Sequence, residues 1–154
     1  MSLVQKVTTD EQILATREVM RQLRPKLSPD DYLTTVKRMQ QTDGYRLAAA
    51  YDEGVVRAIA GYRYMEMLFS GRILYVDDLS TDEQQRSKGY GKLLLDWLKA
   101  EAKAHSCEQL HLDSGVQRER APSFLLSRGI DHLLLSLPDA ALTQSLVDAP
   151  ARPT

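Results

Sequence analysis

Residues 86–91, Arg-Ser-Lys-Gly-Tyr-Gly, combine residue types that could bind a phosphate group. They stand between a strand-like apolar run at 73–79 and an apolar stripe at helical spacing that starts at Leu93. The start of a helix leaves backbone N–H groups unpaired at the positive end of the helix dipole, and glycines let a bulky anion approach them. The turn therefore predicts a binding site for a phosphate or diphosphate.

Two common phosphate-binding motifs do not fit this turn. A Walker A loop needs four residues between its first glycine and Gly-Lys-[Ser/Thr], and the chain has no such spacing. The dinucleotide fingerprint Gly-x-Gly-x-x-Gly also fails, because Leu94 stands where the third glycine should be. What remains is [Gln/Arg]-x-x-Gly-x-Gly between a strand and a helix.

This pattern resembles the GCN5-related N-acetyltransferases (GNAT), in which the equivalent turn holds the diphosphate of acetyl-CoA. Three further segments resemble the family in the same order along the chain. Residues 79–81 match the strand that contacts the pantetheine arm. Residues 110–113 match the parallel strand that splays away from it, and residues 118–130 match a later helix that carries a phenylalanine. The resemblance covers roughly residues 45 to 136 and implies acetyl-CoA as co-substrate.

The resemblance assigns cofactor binding to a strand end, the turn and one later helix. These residues are Leu79, Ser80, Thr81, Arg86, Ser87, Lys88, Gly89, Tyr90, Gly91, Lys92 and Phe124. Within the turn, backbone N–H groups are expected to do most of the binding, with charge-assisted contacts from Arg86 and Lys88. Lys92 lies on the solvated helix face, where Asp96 can pair with it. No metal is assigned, because the histidines and Cys107 lack metal-ligand spacing.

Acetyl transfer to an amine requires the amine to lose a proton. A primary alkyl amine has a pKa of about 10.4, so deprotonation at pH 7 costs about 4.6 kcal/mol, and a nearby carboxylate can relay the proton. Asp77 and Asp78 are the candidate bases, with Asp77 favoured. Neighbours on a regular strand point to opposite faces, so the two should not share one site. The alternative is an acid that only pairs with an arginine.

The departing thiolate is usually protonated in this family by a tyrosine directly after the phenylalanine of that later helix. Here Leu125 follows Phe124, and leucine cannot donate a proton. Tyr62, Tyr64 and Tyr75 lie on predicted strands near the expected site, and Tyr75 is taken as a catalytic candidate. Leu125 also favours the alternative of a non-catalytic acyl-CoA-binding sensor or partner module, and transfer of a longer acyl group is a third option.

Bulk properties narrow the class of protein. The 154 residues suit one domain, and 20 basic against 21 acidic residues give a net charge of −1, which argues against a nucleic-acid partner. One cysteine excludes an intramolecular disulfide, and neither a signal region nor a membrane-spanning run is present, so a cytoplasmic protein is expected. The acceptor stays open between an amine-bearing small molecule and a peptide. The resemblance makes a homodimer plausible.

Apolar periodicity and turn residues predict a mixed α/β (α+β) fold. The predicted order is βααβββαβαβ, a mostly antiparallel twisted sheet with helices on both faces and a central three-strand meander. One N-acetyltransferase domain should span 1–137, and the tail 138–154 is expected to be partly helical or disordered. In the first part of the chain, the predicted signals are a capping box at Thr9, a helix start at Ser28-Pro29 and a hairpin turn at 52–54. After these, the predicted elements are a helix at 90–104, a strand at 108–114, a helix at 119–128 and a strand at 130–137.

Overall fold

A computed structural model describes residues 2–113 and 132–136 of the chain. Six strands and four α-helices are found in these residues, with a 3₁₀ turn at Glu83–Gln85. The strands are β1 (Ser2–Val7), β2 (Arg46–Asp52), β3 (Val55–Met67), β4 (Gly71–Thr81), β5 (Gln109–Asp113) and β6 (His132–Ser136). The helices are α1 (Asp10–Ala15), α2 (Arg17–Leu23), α3 (Tyr32–Thr42) and α4 (Tyr90–Ala104).

The six strands form one sheet in the order β1-β2-β3-β4-β5-β6. Every neighbouring pair is antiparallel except β4 and β5, which run parallel and are joined through α4. A parallel pair needs such a crossover, whereas antiparallel neighbours are joined by short turns. The predicted mixed, mostly antiparallel sheet and its central meander are confirmed.

Each face of the sheet carries its own hydrophobic core. On one face, Leu94 and Leu98 of α4 pack with Leu74 and Val76 of β4. On the other, α1, α2 and α3 cover the alternate strand residues, such as Ile59. The amphipathic stripes of the helices account for this arrangement, because each stripe is buried only against a sheet face. Helices lie on both faces, as predicted.

The first predicted helix is broken into α1 and α2 at Thr16. The capping box at Thr9 is confirmed, since its side chain accepts from the Gln12 N–H. At Thr16 the hydroxyl donates to the Ile13 carbonyl at 2.6 Å and lies 2.8 Å from the Tyr32 hydroxyl. A threonine that bonds back to the preceding turn competes with the helical ladder, and the helical run is interrupted at this residue.

The start of α3 was predicted three residues too early. The Ser28-Pro29 signal opens a turn, in which the Asp31 N–H donates to the Ser28 carbonyl at 3.3 Å. The helix itself begins at Tyr32, with Asp31 as its N-cap. Tyr32 is buried and joined to Thr16, so tertiary packing of this ring decides where the helix starts.

The later elements agree with the prediction where the structure describes them. The strand expected at 108–114 is β5, and the one expected at 130–137 is β6. The helix expected at 119–128, which includes Phe124, and the tail 138–154 lie outside the described residues. Among the described residues, no helix is long and apolar enough to cross a membrane.

Candidate functional site

The pairing of β4 with β5 ends halfway along β4. Their parallel pairing runs from Ile73 opposite Gln109 to Val76 opposite Leu112 and stops there. β4 continues for five more residues to Thr81 and pairs with β3 over this stretch. We call the side of this segment away from β3 the slot; along the chain the segment leads to the turn before α4. The splay that the resemblance implies would involve the residues directly after Asp113, which lie outside the described part of the chain, so it stays a prediction.

A β-bulge lies where the β4–β5 pairing ends. On β3, Tyr62 faces Val76 and Gly61 faces Asp78, so Asp77 is the extra residue on β4. A bulge reorients side chains that would alternate in a regular strand. Asp77 contacts Arg63, Asp78 contacts Tyr45, and the Arg63 guanidinium lies 5.6 Å from the centre of the Tyr45 ring. The two acids therefore lie on the same face, contrary to the alternation expected from the sequence.

Asp77 forms a bidentate ion pair with Arg63. The guanidinium Nε and Nη2 donate to the two carboxylate oxygens at 3.1 and 2.5 Å. Both side chains are about one-fifth exposed, at 21% for Asp77 and 22% for Arg63. Burial raises the pKa of Asp77, and the hydrogen bonds from Arg63 oppose that shift without cancelling it.

Asp78 accepts hydrogen bonds from two side chains on the sheet face that α1, α2 and α3 cover. Arg24 Nε donates to Oδ1 and the Tyr45 hydroxyl to Oδ2, each at 2.9 Å. Arg24 is the C-cap residue of α2, and its Nη2 also donates to the Asp77 carbonyl at 2.9 Å. Burial raises the pKa of Tyr45 well above its usual value, and the nearby Asp78 charge adds to the shift. Tyr45 therefore stays protonated as a donor.

Gly61 makes room for this arrangement. A Cβ at residue 61 would overlap the Tyr45 hydroxyl and stand 2.7 Å from Asp78 Oδ2. The sequence interpretation missed Arg24, Tyr45 and Arg63, which hold the acids. A glycine inside a strand-like run was the one signal available, since it indicates a bulge or a close approach of two chain segments.

The turn before α4 has the geometry expected of an anion site. Gly89 is the N-cap residue, with φ +88° and no side-chain capping bond, and Ser87 is also left-handed at φ +67°. The first bond into the helix runs from the Leu93 N–H to the Gly89 carbonyl at 3.0 Å. The preceding N–H groups, at residues 90–92, have no acceptor inside the helix. Residues 87–89 are exposed.

The side chains of the turn mostly bind the protein itself. The buried Tyr90 donates its hydroxyl to Asp52 at 2.7 Å, which fastens the start of α4 to the β2–β3 hairpin. Lys92 pairs with Asp96 at 2.7 Å, as predicted, and Lys88 donates to Gln85 at 3.0 Å. Arg86 Nε is buried without a hydrogen-bond partner in the described structure. Backbone N–H groups are thus the main ligands that the turn offers.

The β4 segment 79–81 offers backbone rather than side chains. Leu79 belongs to the hydrophobic core beneath α4, and Ser80 and Thr81 are buried at 1% exposure each. Their side chains point above and below the sheet, because strand residues alternate. Only the main chain of this segment faces the slot beside β5.

Of the three tyrosines considered as acids, one lies on the face of Asp77 and Asp78. Tyr62 and Tyr64 pack on the α4 face, Tyr62 against Trp97 and Tyr64 against His105 at 3.0 Å from Nδ1. Tyr75 lies between two residues of that core, Leu74 and Val76, so its side chain points to the opposite face. It is half-buried and lies next to His111 of β5.

A cavity of about 600 Å³ opens between α2, α3 and the sheet, with Asp78 in its wall. The lining residues are Met20, Leu23, Arg24, Pro25, Lys26, Leu27, Tyr32, Thr35, Val36, Met39, Tyr45 and Asp78. Its volume is in the range typical of small-molecule sites. The cavity and the slot beside β4 meet at the bulge, since Asp78 belongs to both.

Comparisons with known proteins agree with this geometry. The sequence model of the Acetyltransferase (GNAT) family matches residues 13–130. The chain is 32% identical over 121 residues to the uncharacterized N-acetyltransferase YhdJ of Bacillus subtilis, covering 79% of this chain and 85% of the relative. A GNAT family acetyltransferase structure from Staphylococcus aureus superposes with a TM-score of 0.64 at 18% identity, over 71% of this chain and 83% of that one. A predicted acetyltransferase from Clostridium acetobutylicum, solved with acetyl-CoA, superposes with a TM-score of 0.54 at 16% identity. The match covers 71% of this chain and 79% of that one.

The chain therefore belongs to the GNAT family of acetyltransferases. The predicted fold and the predicted class of enzyme, an N-acetyltransferase, are both confirmed.

Proposed function

We propose that the protein transfers the acetyl group of acetyl-CoA to a primary amine in a ternary complex. The observation that carries this proposal is the end of the β4–β5 pairing at a bulge that holds two carboxylates. The opened edge of β4 leads to a helix start with unpaired N–H groups on one side and to a cavity on the other. One reactant can lie in each place, and the two meet at the bulge.

Acetyl-CoA is placed by the main chain in this proposal. The N–H groups of Tyr90, Gly91 and Lys92 bind the diphosphate at the positive end of α4. Arg86 and Lys88 add positive charge beside it. The main chain at 79–81 hydrogen-bonds the pantetheine arm, because the three side chains of this segment are buried. We also propose that Phe124 contacts the cofactor, as the resemblance implies.

Asp78 is the proposed proton acceptor, although the sequence favoured Asp77. Asp78 lines the cavity and is 13% exposed. Arg24 Nε and Tyr45 occupy one lone-pair direction on each carboxylate oxygen, and a carboxylate offers about four. The ammonium form of the acceptor gives its proton to Asp78, directly or through a water. The amine nitrogen then attacks the thioester carbonyl carbon, a C–N bond forms, the C–S bond breaks, and the nitrogen loses its second proton to solvent water.

Two neighbours complete the proposed site. Asp77 is a positioning residue, because its pair with Arg63 fixes the bulge that turns Asp78 towards the cavity. Tyr75 is proposed to protonate the departing thiolate in place of the tyrosine that Leu125 replaces. Holding both reactants together supplies much of the rate in such a site, since effective molarities can reach about 10⁵ M or more.

A thiol-release assay with acetyl-CoA and a panel of primary amines tests the function. Wild-type protein should release CoA thiol only when an amine is present, and the product should be the N-acetyl amine. Asp78→Asn should lower kcat/KM by about 10²- to 10⁴-fold, the usual contribution of a general base, with the acetyl-CoA Kd unchanged. Tight acetyl-CoA binding without transfer to any amine would contradict the proposal and point to a binding module.

A further inference from the structure

We infer that the acceptor is a small monoamine with an apolar body, such as an arylalkyl or branched alkyl amine. The inference rests on the proposed function, because it assigns the cavity beside Asp78 to the amine substrate. It goes further by naming the chemical class of that substrate. The residues that line the cavity carry the argument.

The cavity wall is predominantly hydrocarbon. Its apolar members come from α2, α3 and the loop between them, and the rings of Tyr32 and Tyr45 add aromatic surface. They are Met20, Leu23, Pro25, Leu27, Val36 and Met39. Burying an apolar substrate here gains about 25 cal/mol per Å² of apolar surface removed from water. A volume of about 600 Å³ holds an aromatic ring with a short alkyl chain.

The hydrogen-bonding groups of the cavity are largely occupied. The Tyr32 hydroxyl is bonded to Thr16, and the Tyr45 hydroxyl donates to Asp78. Apart from the remaining positions on Arg24 and on Asp78, which the ammonium group takes, this leaves Thr35 and the exposed Lys26 among the lining side chains for a polar substrate. Each sugar hydroxyl buried without a partner costs about 1–3 kcal/mol on protein-based scales. A polyhydroxylated acceptor would therefore bind poorly.

The charges of the lining also disfavour a polycation. Asp78 is the one acid among the lining residues, and Arg24 already pairs with it at 2.8 Å. Lys26 adds a second positive charge. A diamine or an aminoglycoside would bring further ammonium groups to apolar walls beside these cations, where burial of an unpaired charge is unfavourable. A monoamine carries one ammonium group, which becomes neutral when it loses a proton. An apolar surrounding favours this neutral, nucleophilic form.

The test compares 2-phenylethylamine with putrescine, glucosamine and kanamycin as acceptors, using the full chain and acetyl-CoA. The ring amine should give a kcat/KM at least ten times that of each polar amine. Thr35→Trp places an indole into the cavity and should raise the KM for 2-phenylethylamine at least tenfold, with the acetyl-CoA KM unchanged. Thr34→Trp is the matched control, because Thr34 is the exposed neighbour on α3 outside the lining and should leave both KM values unaltered.

The outcomes separate this inference from the proposed function. Preference for a polar amine, or a Thr35→Trp protein with the wild-type KM, overturns the inference while acetyl transfer itself stands. Should no amine be acetylated, calorimetry with 2-phenylethylamine decides. Binding that Thr35→Trp removes and Thr34→Trp keeps supports the cavity assignment although the transfer reaction has failed. Absence of binding overturns the inference.

Discussion

Gly61 of β3 lies opposite Asp78 of β4, and the side chain that Gly61 lacks would occupy the position of the Tyr45 hydroxyl. This relationship links a strand bulge to the catalytic proposal. The bulge turns Asp77 and Asp78 to one face, and the space at Gly61 admits the tyrosine that holds Asp78. The site therefore depends on a residue that has no side chain.

Gly61→Ala should destabilise the protein by about 1–3 kcal/mol, the usual cost of overpacking a core. The added Cβ must displace the Tyr45 ring or the Asp78 carboxylate. Chemical denaturation measures the loss. In a Tyr45→Phe background the same change should cost less, because the overlapping hydroxyl is gone. Additive losses in the double variant would mean that the two residues do not compete for this space.

Asp77→Asn should change how stability depends on pH. Burial raises the pKa of Asp77 in the folded state above its usual value of 3.8. The folded protein therefore prefers the protonated acid, and this advantage is present below pH 3.8 and lost as the pH rises through the raised pKa. The unfolding free energy of wild type minus that of Asp77→Asn should fall with rising pH across this window. A difference that rises with pH would show that the Arg63 ion pair dominates instead.

Tyr90→Phe should weaken acetyl-CoA binding several-fold and lower Tm. The hydroxyl of Tyr90 fastens the start of α4 to Asp52, and that bond raises the pKa of Tyr90 and lowers that of Asp52. Losing it loosens the N–H groups proposed to bind the diphosphate. Calorimetry measures the affinity, and Tyr51→Phe on β2 is the control, with wild-type affinity expected. If Tyr90→Phe and Tyr51→Phe weakened acetyl-CoA binding equally, the Tyr90 hydroxyl would not be needed to position the turn.

Comparing Gly89→Asp with Gly89→Asn measures the effect of a negative charge at this position, because the two side chains are nearly the same size. A side chain at Gly89 meets no heavy atom within 4 Å, and asparagine and aspartate tolerate the left-handed backbone there. Both should fold. Aspartate places a negative charge beside the proposed diphosphate site and should weaken acetyl-CoA binding about tenfold or more relative to asparagine at low salt. Matching Kd values for the two variants would place the diphosphate elsewhere.

The fold was largely readable from the sequence because local signals agreed with tertiary packing. The pair Glu53-Gly54, with φ of +53° and +73°, forms the tight turn that the sequence predicted between β2 and β3. The helix α4 matches its predicted bounds because its apolar stripe is continuous. At Thr16 the hydroxyl bonds back to the Ile13 carbonyl, and this break escaped prediction because the Tyr32 hydroxyl that also contacts it is sixteen residues away in sequence.

The site was readable only in part. The turn at 86–91 is a local pattern, and its position before α4 followed from neighbouring residues. The partners of the acids are distant in sequence: Arg24 is 54 residues from Asp78, and Arg63 is 14 from Asp77. They become neighbours only through strand register and the bulge, and a one-residue shift in register exchanges the faces of a strand. The cavity lining depends on the same tertiary contacts.

A crystal structure of the protein with CoA tests the central claim most directly. We expect diphosphate oxygens within about 2.7–3.2 Å of the backbone nitrogens at 90–92, and a pantetheine arm along β4 at 79–81. Density for the diphosphate at any other part of the molecule, with the start of α4 unoccupied, would contradict it.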